Sequence, residues 1–158
     1  LWSDDFVSFL LGCSFTFDSI LTDAGIPIRH IEEDKNIPMY ITSHECVPAG
    51  IFNGPLVVSM RPIPSNKVAQ AVEITRRYPT MHGEPIHIGD PKAIGITNLS
   101  CPEYGDAVNV NDGEVPVFWA CGVTPQAVAI NSKPSTMITH SPGHMFITDL
   151  KNDKLTTV

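Results

Sequence analysis

The sequence predicts an α/β protein in which helices flank a mixed sheet. Some segments repeat apolar residues at helical spacing, and others are short apolar runs bounded by glycine or proline, as in buried strands. The chain has 158 residues, of which 42% are hydrophobic and 17% charged, so it can bury a core. We expect a main α/β domain formed by residues 1–53 and 100–158, and a smaller α+β lobe formed by residues 54–99.

Two helices are predicted in the first 25 residues. Ser3 can cap a first helix, which should stop at Gly12. Its apolar face comprises Phe6, Phe9 and Leu10. Ser14 can cap a second helix, which Gly25 and Pro27 should end. The buried stripe of that helix comprises Phe17, Ile20, Leu21 and Ala24.

The middle of the chain alternates short strands with helix starts. Proline and glycine limit residues 26–54 to short elements, which we expect to border a site. Residues 56–60 form a buried apolar strand, and Ser65 can cap a helix that ends at Pro79. The apolar side of that helix comprises Val68, Ala71, Val72 and Thr75.

The last 73 residues should contain four further strands in addition to residues 86–88. After that short strand, Asp90 can cap a helix with Pro91 at its first position. Gly113 indicates a hairpin, because glycine tolerates positive φ. Thr124 should begin a helix that runs to about Ile130. The four strands are predicted at 107–110, 115–121, 136–140 and 145–150.

The charge and the apolar runs exclude two classes of partner. The net charge of -7 argues against nucleic acid, because phosphate binding depends on clustered Lys and Arg. No apolar stretch reaches the roughly 20 residues of a membrane helix. We therefore expect a soluble protein with neither nucleic-acid nor membrane partners.

Glycines followed by capping residues mark candidate anion sites. Free N–H groups at a helix start attract carboxylates, and such starts follow Gly12, Gly89 and Gly122. Asp90 would repel an anion, so Ser14 and Thr124 are the better candidates. The alternative is that these residues only begin helices.

Cysteine and arginine side chains lie beside these helix starts or follow a strand. Cys13 and Cys121 adjoin the two favoured starts, where the helix dipole lowers a thiol pKa; they are either reactive groups or inert, buried residues. Arg29 and Arg61 are the candidate carboxylate clamps, because guanidinium can donate two parallel hydrogen bonds.

Two histidine clusters are candidates for proton transfer, because imidazole titrates near neutral pH. His82 and His87 flank a glutamate, whereas His140 and His144 bracket a Pro-Gly turn. That turn rules out a helical zinc pair, although a loop-borne metal site stays open. The alternative is that each histidine only hydrogen-bonds to backbone.

Seven blocks taken together resemble the D-glutamate cyclase family, whose bacterial members are often named hydro-lyases. The resemblance runs nearly end to end, and family members have a further segment ahead of the part that matches Leu1. The blocks are residues 10–15, 24–32, 54–62, 82–87, 104–106, 116–125 and 139–145. It implies conversion of D-glutamate to 5-oxo-D-proline with loss of water, in the cytoplasm of a bacterium or the mitochondrial matrix of a eukaryote.

Cyclisation needs one base and one acid, so we assign the roles from chemistry. His140 or His144 would take the amine proton, and His82 or His87 would donate to the departing oxygen. The groups that would bind the substrate carboxylates or line the pocket are Arg61, Cys13, Ser14, Cys121, Gly122 and Thr124. No cofactor is expected, a divalent metal is not excluded, and a homo-oligomer is allowed.

Two other functions stay open from the sequence. A cofactor-independent racemase or other hydro-lyase would use Cys13 and Cys121 as facing proton carriers. A non-catalytic module would retain a pocket for a small acid without turning it over.

Overall fold

A computed structural model describes residues 2–154 and contains one four-stranded antiparallel sheet. The strands are β1 (Met39–Glu45), β2 (Pro55–Pro64), β3 (His87–Ile88) and β4 (Glu114–Ala120), in the spatial order β1-β2-β4-β3. The helices are α1 (Asp18–Asp23), α2 (Arg29–Glu32), α3 (Val68–Arg76) and α4 (Thr124–Ser132). The α/β class is confirmed, but each strand pairing in the described residues is antiparallel, so the expected mixed sheet is wrong.

Strand β2 lies at the centre of the sheet. It comes from the expected lobe of residues 54–99, yet it pairs with β1 on one side and β4 on the other. Within residues 2–154 no second lobe is shown. The bounds of the two expected parts stay a prediction.

Alternate residues of β2 face different layers. Val57 and Ile63 pack on the side of α1, α3 and α4, where Arg61 also reaches α1. Val58 and Met60 pack on the other side, against the irregular chain between β3 and β4. This period of two brings a buried arginine under the helical layer.

The chain around Cys13 begins the first helical segment. A 3₁₀ turn, Ser14–Phe17, runs directly into α1, and the buried Phe17 and Leu21 confirm the predicted stripe. The cap is Cys13 rather than Ser14, since the Cys13 sulfur accepts a hydrogen bond from the Phe15 N–H at 3.5 Å.

The helix predicted from Ser3 is wrong. Residues 6–13 have no regular secondary structure, and Phe9 and Leu10 are 79% and 85% exposed. Because residues 2–154 do not bury these two side chains, burial does not offset the cost of nucleating a short helix.

Three other helix starts were predicted, with differing outcomes. Ser65 opens a 3₁₀ turn before α3 without capping it through its side chain, so the helix is confirmed and the cap is wrong. Asp90 does cap the turn Pro91–Ile94, and its carboxylate accepts from the Lys92 N–H at 3.0 Å. Helix α4 starts at Thr124 as predicted.

The strands predicted at 107–110, 136–140 and 145–150 are wrong. In the described chain these segments have no ladder partner, so their backbone groups form no sheet. The turn before β4 does form, with Gly113 at φ 82°. None of the helices in residues 2–154 is both long and apolar enough to span a membrane.

Candidate active site

Arg61 is the charged group at the centre of the candidate site, and it is fully buried on β2. Its Nε donates to Asp18 Oδ1 at 2.6 Å. Its guanidinium carbon lies 5.4 Å from the ring centre of Phe17 and 5.3 Å from that of Trp119. The two rings and the carboxylate together fix the guanidinium plane.

Asp18 has a second side-chain partner, His30, beside its other carboxylate oxygen. The distance from His30 Nε2 to Asp18 Oδ2 is 3.4 Å, and the His30 ring stacks on Phe15 with 6.0 Å between ring centres. Burial alone would raise the pKa of Asp18, but the charge of Arg61 and the hydrogen bonds from His30 and Arg61 hold it below its usual value. Asp18 is therefore a carboxylate at neutral pH.

The outer edge of Arg61 points at two hydroxyl groups. Nη1 donates to Ser59 Oγ at 3.3 Å, and Nη2 donates to Ser14 Oγ at 3.3 Å and to the Ser14 carbonyl at 3.4 Å. The two hydroxyl oxygens are 3.4 Å apart. Since each Arg61 nitrogen already donates within the chain, its predicted grip on a carboxylate would act through Ser14.

Cys13 and Cys121 lie half-buried near the same guanidinium. Burial raises the pKa of both thiols, to about 11 for Cys121, although the charge of Arg61 lowers each of them. The expectation that a helix start lowers these pKa values is wrong, because desolvation outweighs the helix end. Both residues are neutral thiols at neutral pH, which suits pocket lining better than nucleophilic attack.

His82 is the predicted histidine that lies beside these groups. Its ring lies close enough to the Gly12 backbone and to Arg61 for both to act on its pKa. Its Nε2 is buried without a hydrogen-bond partner, and its backbone has φ 80°. Burial, assisted by Arg61, lowers the pKa of His82, so the ring is neutral at neutral pH.

The other three histidines differ in their distance from this cluster. His87 Nε2 donates to the Asp90 carbonyl at 2.8 Å, and its ring packs on Phe118, on the sheet face opposite Arg61. His140 and His144 are exposed. Each binds a carbonyl of its own loop, in agreement with the backbone-bonding alternative.

The loop of His144 nevertheless reaches the cluster through its neighbour. Met145 Sδ lies 3.9 Å from the Cys13 sulfur. The structure thus brings His82 and the His144 loop to the same short segment, Gly12 and Cys13. His87 does not join them.

Thr124 and Gly122 connect the cluster to α4. The Thr124 hydroxyl accepts from the Val57 N–H at 3.1 Å and donates to the Val57 carbonyl at 3.2 Å. A Cβ placed on Gly122 would lie 3.9 Å from the Gly12 carbonyl. Thr124 therefore anchors the helix start to β2, while Gly122 keeps the space next to Gly12 open.

One surface cavity lies outside this cluster. It has a volume of about 640 Å³ and lies between α4 and the chain that follows it. His140 lines it, but Arg61, Cys13 and Cys121 do not. We place the candidate site at the buried charges because the polar groups converge there, whereas the cavity is an open groove.

Comparison with known proteins now decides the family. A family model described as D-glutamate cyclase matches residues 7–149. The chain belongs to the D-glutamate cyclase family. The match includes each residue of the cluster around Arg61.

Curated relatives in this family are bacterial proteins that carry the name "Putative hydro-lyase". One from Thermoanaerobacter sp. (strain X514) is 68% identical over 154 residues, which are 98% of this chain and 58% of the relative. Those from Clostridium beijerinckii and Geobacillus kaustophilus are 63% and 62% identical, over 96% and 98% of this chain and 58% and 59% of the relatives. The chain therefore spans less than two thirds of the relatives' length.

For this D-glutamate cyclase family member, sequence reasoning missed two buried partners of Arg61. The sequence pattern does not single out Asp18, although it stands four residues after Ser14 and next to Phe17, on the buried side of the helical segment. The pattern identifies Ser59 only as part of a strand, although it precedes Arg61 by two residues and so shares its face. These spacings are the signals that could have identified them.

A metal centre was left open from the sequence. Within residues 2–154, no three or more His, Cys, Asp or Glu side chains are grouped so that they could hold a metal ion. The expectation that no cofactor is needed, with a divalent metal not excluded, stays a prediction.

Proposed function

We propose that this chain carries part of the active site of a hydro-lyase that cyclises D-glutamate to 5-oxo-D-proline. The observation that carries the proposal is the D-glutamate cyclase match over residues 7–149. The geometry supports a site for a small acid, because a buried guanidinium, two hydroxyl groups and a helical start converge at Ser14.

The reaction forms one C–N bond and breaks one C–O bond. The substrate ammonium group loses two protons, the nitrogen attacks the side-chain carboxyl carbon, and one carboxylate oxygen gains two protons and leaves as water. An ammonium group cannot attack, so a neutral base must act first. A fixed positive charge favours the negative oxygen that develops on the attacked carbon.

His82 is suited to be that base, because it is neutral and its Nε2 is unpaired beside Gly12. This reverses the expected direction of transfer, in which His82 or His87 was the acid. His144 would donate to the departing oxygen, since its loop contacts Cys13 through Met145. Arg61 would act on the substrate carboxylate through the hydroxyl of Ser14.

Incubation with D-glutamate tests the reaction. Mass spectrometry after chiral separation should show 5-oxo-D-proline from D-glutamate and much less product from L-glutamate, with and without divalent metal. The same assay should be run on the full-length Thermoanaerobacter relative, because this chain spans 58% of its length. If both proteins bind D-glutamate in a calorimetric titration but release no product, the site is a binding module.

One observation favours a racemase as a second candidate. Cys13 and Cys121 are close enough for the charge of Cys13 to raise the pKa of Cys121, and both thiols are half-buried. A two-thiol racemase would exchange the α-proton of its substrate with solvent deuterium and would lose activity in C13S and in C121S. A cyclase should release product without that exchange.

A further inference from the structure

The side chains of His30, Asp18 and Arg61 form a buried series that ends at Ser14. All three side chains are nearly inaccessible to solvent. Removing charges from water is costly, and apolar residues of similar volume often give equal or higher stability. Stability alone therefore does not explain why a guanidinium, a carboxylate and an imidazole stand together inside this small protein.

The series determines which Arg61 donors face the site. Asp18 occupies Nε, which leaves Nη1 and Nη2 to Ser59 and Ser14. A serine oxygen that accepts from a guanidinium still has its own O–H to donate. Ser14 Oγ also lies 3.4 Å from Ser59 Oγ, so when the Ser59 hydroxyl donates to Ser14, the Ser14 O–H is left to donate to a bound carboxylate.

His30 contacts Asp18 at the end of the series that lies away from Ser14. Its Nε2 faces Asp18 Oδ2 at 3.4 Å, while its ring stacks on Phe15. The N–H of Phe15 in turn donates to the Cys13 sulfur. His30 therefore contacts both the group that orients Arg61 and the residue that follows Ser14.

We propose that His30 is a positioning residue that, through Asp18, fixes Arg61 and so orients the Ser14 hydroxyl toward the substrate carboxylate. The substrate part of this inference rests on the proposed cyclase function. The positioning of Arg61 by His30 and Asp18 does not depend on that function. It can be measured through the reactivity of the Cys13 thiol.

Two substitutions at His30 separate its ring from its hydrogen bond. H30F keeps an aromatic ring against Phe15 but removes the N–H that faces Asp18. H30Q loses the ring but can still donate to the Asp18 carboxylate. E114Q is the matched control, since Glu114 is a mostly buried carboxylate paired with Arg29 and contacts none of these groups.

Cyclase kinetics give the first readout. We expect H30F to raise KM for D-glutamate about tenfold and to leave kcat within about twofold, because a carboxylate held equally in ground and transition state affects KM alone. H30Q should restore most of the KM, and E114Q should lower the thermal midpoint without changing KM. An active H30F enzyme with unchanged KM would overturn the proposal.

Thiol reactivity gives a readout that needs no turnover. Arg61 and Asp18 are the charged groups that act on the Cys13 thiol, and Cys13 in turn acts on the neighbouring Cys121. The rate of Cys13 alkylation against pH, followed by peptide mass spectrometry, should have a higher midpoint in H30F, because a displaced guanidinium stabilises the thiolate less. H30Q and E114Q should keep the wild-type midpoint. A wild-type midpoint in H30F would overturn the proposal, even if no cyclase activity is found.

Discussion

At the scale of single residues, Asp18 shows how a buried charge connects stability to pH. Its folded pKa lies below the ordinary value of 3.8 because Arg61 and His30 favour the charged form. A carboxyl group with a depressed folded pKa contributes stability above its unfolded pKa, and this contribution is lost as the pH falls through the folded pKa. The ion pair with Arg61 should therefore weaken in acid.

The substitution D18N tests this linkage. We expect it to lower the free energy of unfolding at pH 7 by about 3 kcal/mol, because it leaves a buried guanidinium without its counter-charge. It should also reduce the loss of stability between about pH 5 and pH 2. Urea unfolding at several pH values measures both effects. The exposed Asp23 on the same helix supplies the control D23N, which should change stability by less than about 0.5 kcal/mol.

A second residue-scale prediction concerns His82. Asparagine tolerates the left-handed backbone of this position, so H82N removes the imidazole with little strain. We expect kcat for cyclisation to fall by about a hundredfold or more. H44N, which alters an exposed histidine on β1, should keep wild-type activity. A fully active H82N enzyme would remove His82 from the mechanism.

The lowered pKa of His82 also predicts the pH profile. Since the base must be neutral, kcat/KM should fall on the acid side with a midpoint below 6.5, the ordinary value for histidine. Steady-state rates between about pH 4.5 and pH 8 measure this limb. A midpoint above 6.5 would contradict burial as the dominant influence on this group.

At the scale of elements, close contact of two backbones holds His82 against the first helical segment. A Cβ on Gly12 would lie 2.0 Å from the Thr80 carbonyl oxygen and 2.6 Å from Met81 Sδ. Thr80 and Met81 belong to the 3₁₀ turn Pro79–Met81, which immediately precedes His82. The missing side chain at Gly12 therefore lets this turn approach the residue before Cys13.

The substitution G12A should separate these elements. The Thr80 carbonyl is backbone and cannot simply rotate away, so we expect a loss of about 1–3 kcal/mol of stability from overpacking. G122A is the matched control for stability, because its Cβ would meet only ordinary contact at 3.9 Å. Chemical denaturation compares the two. Equal stability of G12A and wild type would show that the turn is not held against Gly12.

The elements that sequence predicted well are those with a buried partner in the chain. The stripe of Phe17 and Leu21 and the apolar run of β2 pack into the core, so their periodicity and their structure agree. Phe9 and Leu10 have a similar spacing but stay exposed within residues 2–154, and the structure forms no helix there. Apolar periodicity indicates a face that must be buried, and it does not reveal against what.

The same distinction applies to the candidate site, where local features were predictable and contacts between distant segments were not. The helical start near Ser14 was predictable from local sequence, and Arg61 was a candidate from the same local pattern. Their connection through Asp18 was not, because Asp18 and Arg61 are 43 residues apart and meet only when α1 packs on β2. The direction in which the pKa values of the Cys13 and Cys121 thiols shift could not be predicted from sequence either, because it depends on burial.

At the scale of the whole molecule, apolar side chains are well packed around the sheet but exposed at the two ends of the described chain. Three apolar clusters cover both faces of the sheet, and Trp119 adds a hydrogen bond from its indole N–H to Thr75 at 3.2 Å. Both end segments of the described chain instead expose large apolar side chains. Leu10 is 85% exposed, and Phe146 and Ile147 are 73% and 87% exposed.

These exposed side chains lead to a prediction about association. Met145 contacts Cys13, so the two segments approach each other, and clustered exposed apolar groups favour binding to another surface. We expect the isolated chain to elute above its monomer mass of 17.2 kDa in size-exclusion chromatography with light scattering at tens of micromolar. The double substitution L10D/F146D should shift it toward 17.2 kDa, because charge opposes apolar contact. The control S135D/T136D adds the same charge at exposed polar positions and should not shift it. A wild-type chain that stays monomeric at these concentrations would contradict self-association through these segments.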